Sequence, residues 1–334
     1  MISIKVLEDP LIKERKVHKG ALVTSSPDDL CKELPETKDY YFLIERKGWE
    51  GLNDSNFADI KLVEDTSTWK ETKRKFPNVI LLDLAGGDFV DVDCFRPLGI
   101  PKDYEGIQIS AWQRFKRPKL FVQAASLMPE RRFVKFGHFF SNGEDLEETL
   151  LKENIINMSK ELKANIDFPY GGLRTNEGLP NDSEAINHWI NRARMGILTT
   201  KVEGVNRFKM ECLAAGIPML VPADVSYPTL KHMNEKTGIV FKPTPEGLAK
   251  SICEVLSNPN RFRPREYVLE TTGSKNSIRK LKDALREVSE REGQKYHFDD
   301  ITYDGRNQSL MWDRKAIKYM QNRLEGIKNG RCNY

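Results

Sequence analysis

The chain has 334 residues, enough for two domains of ordinary size, and its 39% hydrophobic and 31% charged content excludes disorder of the whole chain. Lys and Arg outnumber Asp and Glu by 53 to 49, a net charge of +4 that suits an anionic ligand but falls far short of a dedicated nucleic-acid binder. Cys31, Cys94, Cys212, Cys253 and Cys332 form no CxxC pair and no even framework, which argues against a zinc site or a disulfide scaffold.

Along the chain, Met1 to Val6 is interrupted too soon by Glu8, Asp9 and Lys13 for a secretory leader, and no apolar run reaches the length of a membrane span. A soluble, cytoplasmic protein is expected. Short apolar runs predict strands over 2–6, 40–44, 79–84, 106–109, 132–136, 195–199, 218–221 and 238–241. Helical patterns between them cover 119–127, 145–160, 184–194, 208–215 and 245–257. This alternation predicts an α/β fold with parallel sheets covered by helices.

The turn-rich run 97–105, Pro-Leu-Gly-Ile-Pro-Lys-Asp-Tyr-Glu, marks a domain junction. Domains are therefore expected at 1–103 and 104–305. Residues 308–327 read as an amphipathic helix carrying Leu310, Met311, Ile317, Met320, Leu324 and Ile327.

The chemistry concentrates between Met195 and Pro222. An apolar strand ends at Thr199 or Thr200, a loop carries Glu203 and Gly204, a helix starts near Asn206, and Gly216 ends it before the next strand. Ligands of open α/β sheets lie beyond the carboxyl ends of strands. Gly204 lets the backbone approach a ligand closely, and the N–H groups of Val205, Asn206 and Arg207 at a helix start suit a diphosphate. Glu211 falls about one and a half turns into that helix. Two such carboxylates can each accept hydrogen bonds from vicinal hydroxyls, one pair on a sugar and one on a ribose.

The run Glu203-Gly204-Val205-Asn206 through Glu211-Cys212-Leu213-Ala214-Ala215-Gly216-Ile217-Pro218 resembles the E-x7-E signature of retaining glycosyltransferases of family four. Thr237-Gly238-Ile239-Val240-Phe241 resembles that family's strand after the donor loop. Ser110 to Phe121 resembles the opening of its second domain, and Val90-Asp91-Val92-Asp93-Cys94-Phe95-Arg96-Pro97 the segment closing its first.

The resemblance implies the GT-B fold: two Rossmann-type domains facing a cleft, with the terminal helix, 306–334, returning to the first domain. It implies that Glu203 contacts the transferred sugar, Glu211 the ribose, and Lys116 with Arg114 or Arg117 the departing diphosphate. Gly137, Thr200, Gly204, Val205 and Asn206 complete the implied donor site. Fixed cations and N–H dipoles at a leaving group that gains charge agree with that role on physical grounds. The donor is a nucleotide diphosphate sugar, GDP-mannose ahead of UDP-glucose by similarity to shortened, Lys-rich members encoded by large DNA viruses. No cofactor or metal is implied. The acceptor is a carbohydrate or glycoprotein, no nucleic-acid partner is expected, and a homodimer is left open.

The sequence departs from the family pattern in three places. Leu7-Glu8-Asp9-Pro10 stands where a Gly-rich turn is usual, Val205-Asn206 replaces Phe-Gly, and the first basic residue of the pyrophosphate pair falls at Ser110 or Ala111. Three other readings compete: a nucleotide-sugar-binding protein without turnover, a metal-dependent enzyme using Asp91-Val92-Asp93, and a nucleic-acid binder using Lys70 to Lys75 and Arg114 to Lys119. Gly86-Gly87 reads as a structural turn, and His138, which follows a strand where it could face the cleft, reads like the other histidines as a satisfied or exposed residue.

Overall fold

A computed structural model of the chain describes residues 2–14, 16–46, 55–139, 146–169, 182–305 and 311–329. The chain divides into two compact units, 1–89 with 274–334, and 90–273.

In the first unit, β1 (Ser3–Glu8) leads to a hairpin of β2 (Leu11–Lys13) and β3 (Lys16–His18), then β4 (Gly20–Thr24), α1 (Pro27–Glu33), α2 (Thr37–Tyr40) and β5 (Tyr41–Arg46). β6 (Ile60–Leu62), α3 (Trp69–Lys75) and β7 (Ile80–Leu82) follow. β4, β5, β6 and β7 lie side by side and parallel, while β1 joins the sheet antiparallel to β4.

The second unit carries β8 (Tyr104–Ala111), α4 (Pro118–Ser126), β9 (Phe133–His138), α5 (Leu146–Glu161), β10 (Ile166–Asp167) and α6 (Ser183–Asn191). It continues with β11 (Ala193–Ile197), α7 (Arg207–Ala214), β12 (Met219–Pro222), α8 (Tyr227–Leu230), β13 (Gly238–Phe241), α9 (Pro245–Ser257) and α10 (Pro264–Thr271). Its sheet is parallel throughout, in the order β10-β9-β8-β11-β12-β13. This is the doubly wound order, whose strand sequence reverses between β8 and β11.

The chain then re-enters the first unit with α11 (Gly273–Arg291), β14 (Met311–Trp312) and α12 (Asp313–Lys328). Alternation along the strands sends Ala21, Val23, Phe42 and Ile44 to one face, where Leu281, Leu285 and Val288 of α11 cover them. Leu22, Tyr41 and Leu43 point to the other, against Ala316, Met320, Leu324 and Ile327 of α12. That spacing makes one apolar helical stripe.

The sequence placed the junction within 97–105, and the structure divides earlier. The turn-rich run is docked on the second unit: Asn191 accepts from the Leu98 N–H (2.9 Å) and donates to the Arg96 carbonyl (3.0 Å), and Lys102 donates to the Asn191 carbonyl (2.6 Å). Arg265 holds the Val92 and Phe95 carbonyls and that of Ala214 at the end of α7. The second boundary also moves, from 305 to 273, because α11 buries its stripe on the first sheet. The antiparallel β1 is a further departure from the all-parallel sheet expected. The terminal helix starts at Asp313, with Met311 in a strand and Leu310 outside the described residues. Among the described residues no helix is long and apolar enough to cross a membrane.

Asp59 knits this sheet: its carboxylate accepts from the Leu43 N–H (2.8 Å), and its carbonyl from the Ile80 N–H (3.0 Å). Burial raises its pKa to about 6, against the opposing pull of the Leu43 N–H and of Lys19. A carboxyl whose folded pKa lies above its unfolded value costs stability as pH rises between the two, and the full cost persists above the folded value. Asp59→Asn is therefore expected to stabilise the fold by as much as about 2 kcal/mol at pH 7.5 and by only about 0.5 kcal/mol at pH 4. Denaturant unfolding at both pH values reads this; equal gains at both would rule out titration as the cause.

Candidate functional site

The reversal of strand order lies between β8 and β11, and the loops leaving these two strands are stitched together. After β8 the chain makes a 3₁₀ turn over Arg114–Lys116 and passes through Arg117 at φ 49° and ψ 51° before Pro118 opens α4. After β11 come the buried Thr199 and Thr200. Thr199 donates its hydroxyl to the Lys116 carbonyl (2.6 Å) and accepts from the Gln108 amide (2.9 Å), and the Lys201 N–H reaches the Phe115 carbonyl (2.8 Å). These bonds bring Lys116 and Glu203 together as an ion pair with side chains only 15% and 14% exposed.

Arg117 supports this arrangement from below. A left-handed conformation costs a non-glycine residue roughly 1 kcal/mol or more, and the Arg117 guanidinium offsets it. It donates to the Thr199 and Thr200 carbonyls and meets both Asp224 oxygens at 2.7 and 2.8 Å. Hydrogen bonding from Arg117 also holds the Asp224 carboxyl below its ordinary pKa. The Arg117 fork, expected at the diphosphate, is here engaged by two carbonyls and the Asp224 carboxylate.

Glu203 is fixed through its backbone. Its N–H donates to Ser226 Oγ (2.8 Å), Ser226 donates back to its carbonyl, and Thr229 Oγ1 donates to the carbonyls of Glu203 (2.8 Å) and Gly204 (3.1 Å). The fully buried Lys209 ties that buttress to α7 by donating to the carbonyls of Thr229 (2.8 Å) and Lys231. Sequence reasoning missed Ser226, Thr229 and Lys209, since polar residues that serve backbone groups leave no spacing pattern.

Asn206 is the N-cap of α7, its side chain accepting from the Lys209 N–H (2.8 Å), which frames the helix start with Val205 buried beside it. Glu211 lies one turn beyond Arg207, whose Nε donates to it at 2.7 Å, and its side chain is 7% exposed. Gly196 lets α7 sit close to the sheet: a Cβ there would come within 2.8 Å of Cys212 Sγ.

Other expected residues take different places. Arg114 pairs with Glu147 (2.6 Å) on the surface, where a pair contributes little. Thr200 Oγ1 donates to the Val202 carbonyl (2.9 Å). Gly137 is the seat of an indole, since a Cβ would lie 2.0 Å from the Trp112 ring. His138 is held down to about 4, first by burial and then by the charges of Lys116 and Lys135, so it is neutral at physiological pH.

Asp91, the first residue of the competing D-x-D reading, accepts from the N–H groups of Asp93 (2.9 Å) and Cys94 (3.1 Å) in a local turn. Among the described residues no group of three or more His, Cys, Asp or Glu is placed to hold a metal. Gly86 is a close-packing glycine: a Cβ would meet the Arg46 guanidinium and the Gly305 carbonyl. A groove of about 960 Å³ between α4 and α5 is lined by Arg114, Lys119, Glu147, Leu150 and Leu151, but includes neither Lys116 nor Glu203. The site is assigned to the strand-order reversal because paired charges converge there.

No protein-family model and no curated protein matches the chain. Solved structures do. A glycosyltransferase from Rickettsia africae matches with a TM-score of 0.56 at 14% identity, over 78% of this chain and 80% of that one. Sucrose-phosphate synthase from Thermosynechococcus elongatus matches with 0.55 at 16% identity, over 75% and 69%. HepE from Anabaena, solved with UDP and glucose, matches with 0.54 at 10% identity, over 78% and 74%. The chain has the GT-B glycosyltransferase fold, with two Rossmann-like α/β units.

Proposed function

We propose that this chain is a glycosyltransferase whose second unit binds a nucleotide diphosphate sugar. The carrying observation is the Lys116–Glu203 pair at the reversal of a doubly wound sheet, with Glu211 in the helix that follows. In this reading Lys116 and the N–H groups at the start of α7 take the diphosphate. Glu203, released from Lys116 when the phosphate arrives, accepts hydrogen bonds from the transferred sugar, and Glu211 from the ribose. Arg117 and Asp224 are scaffold.

Family-four resemblance supports transfer with retention of configuration: the acceptor hydroxyl attacks on the face the diphosphate leaves, and a phosphate oxygen helps remove its proton. We assign no protein nucleophile and no metal. GDP-mannose is the donor the sequence favours, and the UDP and glucose bound by HepE make UDP-glucose the necessary comparison. The acceptor is a glycan or glycoprotein hydroxyl received by the first unit, in the cytoplasm.

Titration calorimetry with GDP-mannose, UDP-glucose and the free diphosphates, without added metal, tests the reading. Micromolar to sub-millimolar binding of one donor, weakened at least tenfold by Glu211→Ala, is expected. Equal or absent binding by the protein and its variant would remove the donor site and bring the metal-dependent and nucleic-acid readings forward.

A further inference from the structure

The sequence lacks a basic residue where the first cation of the pyrophosphate pair is expected, at Ser110 or Ala111 on β8. The structure shows what stands beside that gap. β8 and β9 are parallel neighbours, with Gln108 opposite Lys135 and Ser110 opposite Gly137. Strand alternation puts Gln108, Ser110 and Lys135 on one face of the sheet. There Lys135 is 1% exposed, its Nζ donates to Ser110 Oγ at 3.0 Å, and it lies 4.6 Å from the centre of the Trp112 ring.

Resting on the donor-site reading above, we propose that Lys135 supplies the second positive charge of the pyrophosphate site from the neighbouring strand, acting through the Ser110 hydroxyl. A hydroxyl can accept from an ammonium while donating its own proton onward. Ser110, partly exposed near the end of β8, thus passes a donor to a phosphate oxygen while the buried Lys135 polarises it. Lys135 is a positioning residue, because the donor touches Ser110 and Lys116 instead.

The surroundings of Lys135 give the proposal a distinctive signature. Lys116, from the loop after β8, and His138, at the end of β9, are the titratable groups that face it. α4 covers the sheet with Leu120, Phe121 and Val122, and Lys152 of α5 lies over Phe139 (5.4 Å). No carboxylate pairs with Lys135 among the described residues, the nearby Glu203 being engaged by Lys116. Burial, and then the charge of Lys116, lower Lys135 to about 7. A diphosphate arriving beside Ser110 adds negative charge and raises that value, so above neutral pH Lys135 takes up a proton from solvent as the donor binds.

The probe is the nucleotide sugar that binds the intact protein, since its diester phosphates do not titrate near neutrality. Calorimetry between pH 6.5 and 8.5, in buffers of different ionisation enthalpy, counts the protons taken up. For the unaltered protein, affinity is expected to fall about tenfold across this range, with close to one proton taken up at pH 8. Lys135→Met is expected to bind more weakly, with flat pH dependence and no uptake. Ser110→Ala, a small change at a partly exposed site, is expected to weaken binding at least fivefold.

If Lys135→Met fails to fold, the proton count of the unaltered protein and the Ser110→Ala affinity decide. Donor binding with neither pH dependence nor proton uptake overturns the proposal while leaving the donor site standing. Uptake that survives in Lys135→Met places the proton on another group and also overturns it. Failure of every nucleotide sugar to bind removes the donor site and this proposal together.

Discussion

Lys116→Met is expected to lower turnover of the nucleotide sugar by about 10²–10³-fold, the typical effect of removing one fixed donor from a site where charge develops. The departing diphosphate gains charge as its bond to the sugar breaks, so the loss should fall mainly on kcat, with a smaller change in KM. Glu203→Gln is expected to impair turnover too, because it removes the carboxylate proposed to meet the sugar and leaves Lys116 without its partner in the free protein. The two side chains form one ion pair, so their effects should not multiply: the double variant should be less impaired than the product of the singles. Release of nucleoside diphosphate from the donor measures all three proteins. Arg114→Ala, at an exposed surface pair, should change the rate less than about threefold. Strictly multiplicative losses at Lys116 and Glu203, or a loss at Arg114 as large as at Lys116, would show that the site is wrongly placed.

The parts of the second unit that carry this site were legible because apolar strands there are followed by sharp turn signals. β13 and α9 fall on the ranges read from the sequence, and β8, β9, β11 and β12 within a few residues of theirs. The first unit was harder. β6 is only three residues long, too short to establish a pattern, and β4 is buried at every residue, so it shows no alternation of buried and exposed side chains. The docked turn 97–105 and the strand partners of α11 depend on Asn191, Arg265 and the first sheet, all distant in sequence. Arg117 and Gly137 have structural partners that the sequence hides for a related reason. A guanidinium engaged by two carbonyls and a carboxylate, and a glycine under an indole, look in sequence like a ligand cation and a ligand loop. Lys135 shows the opposite failure: a lysine inside an apolar strand was passed over, and its neighbours make it informative.

Lys61→Met is expected to destabilise the protein by about 3–5 kcal/mol, because it leaves the Glu45 carboxylate buried without its cation. The pair is 0% and 1% exposed, and the strand register sets Glu45 of β5 directly beside Lys61 of β6. Lys61 also donates to the Ser55 carbonyl (2.8 Å) and lies 4.2 Å from the centre of the Phe76 ring, so its ammonium is solvated by protein alone. Sequence periodicity ended β5 at Ile44 because Glu45 and Arg46 are charged, whereas the strand continues to Arg46 with Glu45 neutralised from the adjacent strand. The favourable attraction of such a pair is largely offset by the cost of desolvating both charges. Replacing both residues by apolar ones of similar size, Glu45→Leu with Lys61→Met, should therefore recover most of the stability lost in the single variant. Denaturant unfolding of the two singles and the double gives the coupling directly. A double variant as unstable as the sum of the singles would mean that the charges are needed for something other than each other. Their position at the carboxyl ends of parallel strands, where ligands of such sheets bind, would then make the pair the first place to look for the acceptor.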